Sequence, residues 1–132
     1  MKAGVKAGGK TVDVALGLVR RHGGWFLQRR DPGNPVLPGR WEFPGGKALP
    51  GESMAAALGR ELKEELAWEP MDLIALPVIE HLYADRAVRL HPFRCEGGGD
   101  PRTALAWGWF TVSEMRRLPI PEANLSFLEM LD

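Results

Sequence analysis

The chain has 132 residues, 17 basic and 17 acidic side chains, and a single cysteine, Cys95. That length suits one domain with one core, and the balanced charge gives no field to attract duplex nucleic acid or an anionic membrane. One cysteine excludes a disulfide framework and a cysteine-built zinc site and fits a reducing, cytoplasmic setting. The expected partner is therefore a small molecule, bound by a local cluster, and the expected assembly is a monomer or weak dimer.

Residues 1–11 carry lysines and glycines without an apolar run and read as a flexible leader, with the domain proper over 12–132. "TVDVALGLVRR" is β-branched and apolar and predicts a strand, which Gly23 and Gly24 turn into a second strand, "WFLQRR". "DPGNPVLPGR", from Asp31 to Arg40, has too many prolines and glycines for a helix or strand and predicts a surface loop that could act as a lid. "WEF" follows as a short strand. From Ser53 to about Ala67 the alanines and leucines predict the strongest helix of the chain, with Ser53 as its N-cap. "DLIALPVIEHLYADRAVRLHPFRCE" predicts two strands joined near Asp85, "EGGGDPR" a surface loop, and "AWGWFTV" a strand whose Trp107 and Trp109 are read as facing opposite sides. Two helices close the chain: "SEMRRL", capped by Ser113, and "PEANLSFLEML". No repeat is present. The order of elements predicts an α/β fold, a single mixed sheet sandwiched between helices.

The long helix carries the chemistry. At about 100° per residue, Leu58, Leu62 and Leu66 form one stripe, while Glu61, Glu64 and Glu65 crowd onto an adjoining arc. A helix built for solubility would intersperse charges. Here like charges stand at i,i+3 and i,i+4, an arrangement that is destabilising unless a cation sits among them. Carboxylates without cysteine or histidine are hard oxygen ligands and select magnesium or manganese. Just before the helix, Gly45 and Gly46 let the backbone approach a metal or phosphate closely, and Lys47 adds a point charge.

Gly46, five residues, Glu52, seven residues and then "RELKEELAW" from Arg60 to Trp68 resemble the signature box of the Nudix hydrolases, which cleave nucleoside diphosphates linked to another group. The resemblance implies a Nudix α/β/α sandwich in which Glu61, Glu64 and Glu65 hold Mg²⁺ or Mn²⁺. It also implies that Arg60 orients a glutamate by ion pairing and that the backbone at Gly45 and Gly46 contributes a ligand. One position departs from the pattern. Ala67 stands where the family has a glycine, which removes the easy left-handed end of the helix.

"WEFPGGK", "LQRR", "YADR" and "LPIPEAN" are similar to the MutT-type branch, which hydrolyses oxidised purine nucleoside triphosphates such as 8-oxo-dGTP to the monophosphate and pyrophosphate. By that similarity Arg30 would meet phosphate or base, Glu42 and Phe43 would contact substrate beside Lys47, and Asn124 would meet the purine edge. An amide presents a donor beside an acceptor. Guanine offers two acceptors along its O6/N7 edge, and oxidation at C8 makes N7 a donor, so the amide then pairs twice. Read by itself, Asn124 serves equally as the cap of the last helix. The same amide, flipped, suits adenine, so a 2-hydroxyadenine nucleotide stays open. Many family members carry an acid just before the tryptophan of the "AWGWF" strand. Here it is Gly108, which leaves the general base open among Glu52, Glu64 and their neighbours. His81, His91 and Cys95 fall in strand patterns and read as structural. Two other readings stand beside this one: a pyrimidine or general nucleotide hydrolase, and a Nudix-fold module that recognises oxidised guanine without turnover.

Overall fold

The computed structural model describes residues 10–35, 37–126 and 128–131. Most of the expected leader lies outside them, and its last two residues, Lys10 and Thr11, already belong to the first strand. That strand, β1 (Lys10–Arg21), is the centre of the sheet. One edge runs parallel to β7 (Arg86–Glu96) from Lys10 to Val19, and the other meets β4 (Gly45–Lys47) and β2 (Gly24–Arg29) in antiparallel register. The hairpin into β2 turns on His22 and Gly23, both at positive φ (56° and 78°), as a two-residue type I′ connection requires. β3 (Trp41–Glu42) and β8 (Trp107–Phe110) pair with β2, while β5 (Asp72–Ala75) and β6 (Ile79–Leu82) pair antiparallel with β7. The result is the expected mixed sheet, with helices on both faces.

Alternation along β1 feeds both layers. Leu16 and Leu18 enter a core with Met115, Ile120, Ala123 and Leu128, and Ala15 and Val19 enter another with Leu58, Leu62 and Leu66. The three leucines come from α1 (Met54–Leu66) and are wholly buried. At about 1.5–3 kcal/mol for each such side chain, this stripe is what docks the helix. Ser53 caps it as expected, its Oγ accepting from the Ala56 N–H at 3.0 Å. The other end forms despite the missing glycine. Ala67 itself takes the left-handed conformation (φ 49°, ψ 38°) and donates its N–H to the Leu62 and Lys63 carbonyls. That conformation costs a residue with a Cβ roughly 1 kcal/mol. It is held by the next residue, Trp68, which is buried and donates its indole N–H to the Gly98 and Gly99 carbonyls at 3.1 Å.

Several expectations change. The "WEF" strand stops at Glu42, and the chain re-enters the sheet as β4 through the glycines that read as a plain turn. Gly45 has φ 154°, and a Cβ there would lie 1.9 Å from the Ala15 carbonyl oxygen, so only glycine lets β4 approach β1. The stretch 72–96 forms three strands rather than two, because Pro77, with no N–H to give, falls between β5 and β6. The turn near Asp85 is present, with the Tyr83 N–H donating to the Arg86 carbonyl. α2 (Val112–Met115) is capped by Thr111, not Ser113, through a reciprocal box with Glu114. "PEANLSFLEML" divides into α3 (Glu122–Leu125) and a 3₁₀ turn (Leu128–Met130), with Phe127 outside the described residues. Trp107 and Trp109 share a face, since residues two apart on a strand point the same way. Both rings contact Phe26, at 5.9 and 5.5 Å between centroids.

Candidate active site

With its leucine stripe fixed in the core, α1 turns Glu61 toward the β4 backbone. A Cβ on Gly46 would come within 2.5 Å of Glu61 Oε2, so the carboxylate occupies the space a side chain would need. Arg60, the preceding residue, is the hub of the acidic arc. Its Nε and Nη2 donate to Glu52 Oε2 and Oε1 at 2.8 and 3.0 Å, Nη2 reaches the Lys47 carbonyl at 3.2 Å, and Nη1 reaches Glu61 and Glu64 at 3.4 and 3.3 Å. Glu52 also accepts the Leu49 N–H at 2.8 Å. The Arg60 guanidinium first, and that N–H second, lower the Glu52 acid to about 2, and Glu52 in turn raises Arg60. Glu52 is therefore a firm anion that locks Arg60 in a bidentate fork, a poor set of properties for a general base at neutral pH.

Glu65 behaves in the opposite way. Its side chain is open to a cavity, yet partial desolvation of the carboxyl, then the contact and charge of Glu61, then the charge of Glu42, push it up to about 7. The neighbouring Gln28 amide works against this. Glu42 is raised by burial, which its ion pair with Arg30 (Nε to Oε1, 3.0 Å) opposes. A carboxyl whose ionisation neighbouring acids oppose, as at Glu65, belongs to a donor set suited to a bound cation.

The cavity measures about 590 Å³, within the range of small-molecule sites. Val14, Leu16 and Phe43 supply apolar wall, Arg30, Glu42, Lys47 and Glu65 supply charge, and Gly45 and Gly46 supply bare backbone. Asp31 and Asn34 bring the proline-rich loop to the rim, and Thr103, Ala104 and Leu105 close another side. A hollow of about 260 Å³ between β1 and β7 contains none of the predicted site residues.

Most of the predicted residues thus meet in one place. Glu64 does not enter the cavity: its side chain is 61% exposed and pairs with Arg60. Among the described residues no three acids, histidines or cysteines converge on a single point. Asn124 is buried in α3 and does not cap it, since Pro121 occupies the N-cap. It is also not among the described residues that line the cavity. Gly108 pairs with Leu27, and a Cβ there would press on the Phe110 ring at 3.0 Å. His91 hydrogen-bonds Asp13 at 2.8 Å and Cys95 is buried, both away from the cavity. Gln28 was not foreseen. The signal for it was a polar residue at a strand position alternating with core residues. The wall at Thr103–Leu105 has no local signal, because tertiary contacts place it: the Arg102 N–H donates to the Leu66 carbonyl and the Arg29 N–H to the Ala106 carbonyl.

Comparison with known proteins identifies the family. The NUDIX domain family matches residues 14–130. A Mycobacterium tuberculosis protein named "Putative 8-oxo-dGTP diphosphatase 2" is 44% identical over 113 residues, covering 77% of this chain and 74% of its own. The CTP pyrophosphohydrolase of Escherichia coli is 30% identical over 123 residues, covering 91% and 90%. The crystal structure of a MutT NUDIX hydrolase from Burkholderia pseudomallei superposes with a TM-score of 0.81 at 24% identity, covering 93% of this chain and 99% of that one. The chain belongs to the Nudix hydrolase family, in its MutT-type branch.

Proposed function

We propose that this enzyme is a cation-dependent pyrophosphohydrolase of oxidised purine nucleoside triphosphates, 8-oxo-dGTP being the leading substrate, releasing the monophosphate and pyrophosphate and so sanitising the nucleotide pool in the cytoplasm. The observation that carries the reading is the cavity itself, which joins apolar wall from Val14, Leu16 and Phe43 to the acids and bare backbone of Glu65, Gly45 and Gly46. That is the combination a base and a metal-bound phosphate chain require. The residues fit a hard divalent ion. Glu61 lies against Gly46 where any side chain would displace it, and Glu65 is crowded by Glu61 and Glu42.

Glu61 and Glu65, with a backbone carbonyl of Gly45 or Gly46 in β4, would hold Mg²⁺ or Mn²⁺, and Glu64 would join by turning from Arg60. Bound there, the ion would neutralise phosphate charge and activate a water. Arg60, fixed by Glu52, steadies Glu61 and the Lys47 carbonyl. Lys47 and Arg30 would contact phosphate. With Glu52 held as a firm anion by Arg60, the general base falls to Glu65, the α1 acid that lines the cavity.

A second reading has its own support. Asn124 is not among the described cavity-lining residues, and a relative matching most of the chain is named a CTP pyrophosphohydrolase. Release of pyrophosphate from 8-oxo-dGTP, dGTP, 2-hydroxy-dATP and CTP, each with and without EDTA, tests both. A preference for 8-oxo-dGTP over dGTP, abolished by EDTA, is expected. Equal rates on the two guanine nucleotides would end the sanitation reading, and faster CTP hydrolysis would replace it with the second.

A further inference from the structure

Every second residue of β2 turns to the same face. Phe26 faces the α1 core and is wholly buried, so Gln28 follows it on that side, and it is only 5% exposed. Trp25 and Leu27, on the other face, are apolar and buried in turn. Gln28 instead buries an amide whose Oε1 has no hydrogen-bond partner. For stability alone this is a poor choice, since an apolar group of the same shape leaves nothing unpaired. What distinguishes the position is its company. Gln28 stands directly across from Glu42 on β3 and lines the cavity beside Glu65 and Gly46. Its side chain is near enough to the Glu65 carboxyl to oppose the rise of that acid.

We infer that Gln28 is a positioning residue of the cation site, its amide N–H fixing the orientation of Glu65 and its buried, unpaired Oε1 waiting for a donor such as the water on a bound ion. The inference rests on the reading of Glu61 and Glu65 as cation ligands. Outer partners of metal ligands typically account for ten- to a hundred-fold in affinity, and a glutamine that satisfied only the fold would have no such effect.

The test is a titration of Mn²⁺ by its EPR signal with the full chain, run beside thermal unfolding, for the wild type, Gln28→Met and Gln28→Ala. Methionine keeps the volume and removes the unpaired acceptor, so Tm should hold or rise. Alanine leaves a hole, so Tm should fall. Both variants should weaken Mn²⁺ binding by about ten- to a hundred-fold, whatever Tm does. Binding that tracks Tm, unchanged in Gln28→Met and weaker only in Gln28→Ala, would make Gln28 a packing residue and overturn the inference. Unchanged binding in both variants would overturn it too. Glu65→Gln in the same titration separates the two levels. If it keeps wild-type affinity, the ligand reading itself fails; if it weakens binding while Gln28→Met does not, only the positioning role falls.

Discussion

Helix α1 presents two faces that obey different rules. Leu58, Leu62 and Leu66 are wholly buried and do nothing but hold the helix to the sheet. Within the same turns Glu61 and Glu64 crowd around Arg60, and partial burial with the charges of Glu61 and Glu42 leaves Glu65 with an acid near 7. The first face is what packing would choose and the second is what packing would avoid. Because both hang on one rigid rod, the leucines set the position of the acids without touching them. On the proposed reading, affinity for a cation would therefore depend on residues that would never be found by looking for ligands.

The sharpest way to break this contrast is through the leucines. Leu62→Ala should lose about 2–5 kcal/mol of stability in denaturant unfolding. Next is the acidic face: Glu65→Gln should cut turnover by more than about a hundred-fold, while the Tm of the metal-free protein holds or rises because one repulsion is gone. A variant that lost both activity and stability would merge the two faces into one. A smaller effect is expected at the cap. Ser53→Ala should cost about 1 kcal/mol and leave substrate preference unchanged on the nucleotide panel.

The smallest effect is in pH. Glu65 has a folded value of about 7 against an ordinary 4.5, so the folded state favours its neutral form. The stability it contributes is complete below about 4.5 and disappears as pH rises through about 7. Metal-free Tm should therefore decline over that window, with Glu42, also raised, acting in the same sense. Glu52 is held down at about 2 and loses its contribution only under much stronger acid. Thermal melts across pH should show a flatter slope in Glu65→Gln, and an unchanged slope would remove Glu65 as its source.

What could be read in advance was what the chain encodes locally. Ser53, the leucine stripe and the acid run are set by helical spacing, so they were visible residue by residue. β4 was hidden because "GGK" has the composition of a turn, and only the approach of Ala15 turns it into a strand. Thr111 was legible, as the first residue of a Thr-x-x-Glu box, but Ser113 was the expected cap. Gln28 carried a signal in its alternation with Phe26, one that matters only when Glu65 is known to lie above it. The wall at Thr103–Leu105 had none, since two long-range backbone contacts place it.

The parallel seam between β1 and β7 has a consequence in time. Asp13 and Arg89, paired across it, are 76 residues apart in the chain, so the central seam cannot form until the chain is available as far as β7, which ends at Glu96. Such distant pairing slows folding relative to a helical protein of equal size. During synthesis β1 must wait for its partner to leave the ribosome, and refolding from denaturant should be limited by this closure.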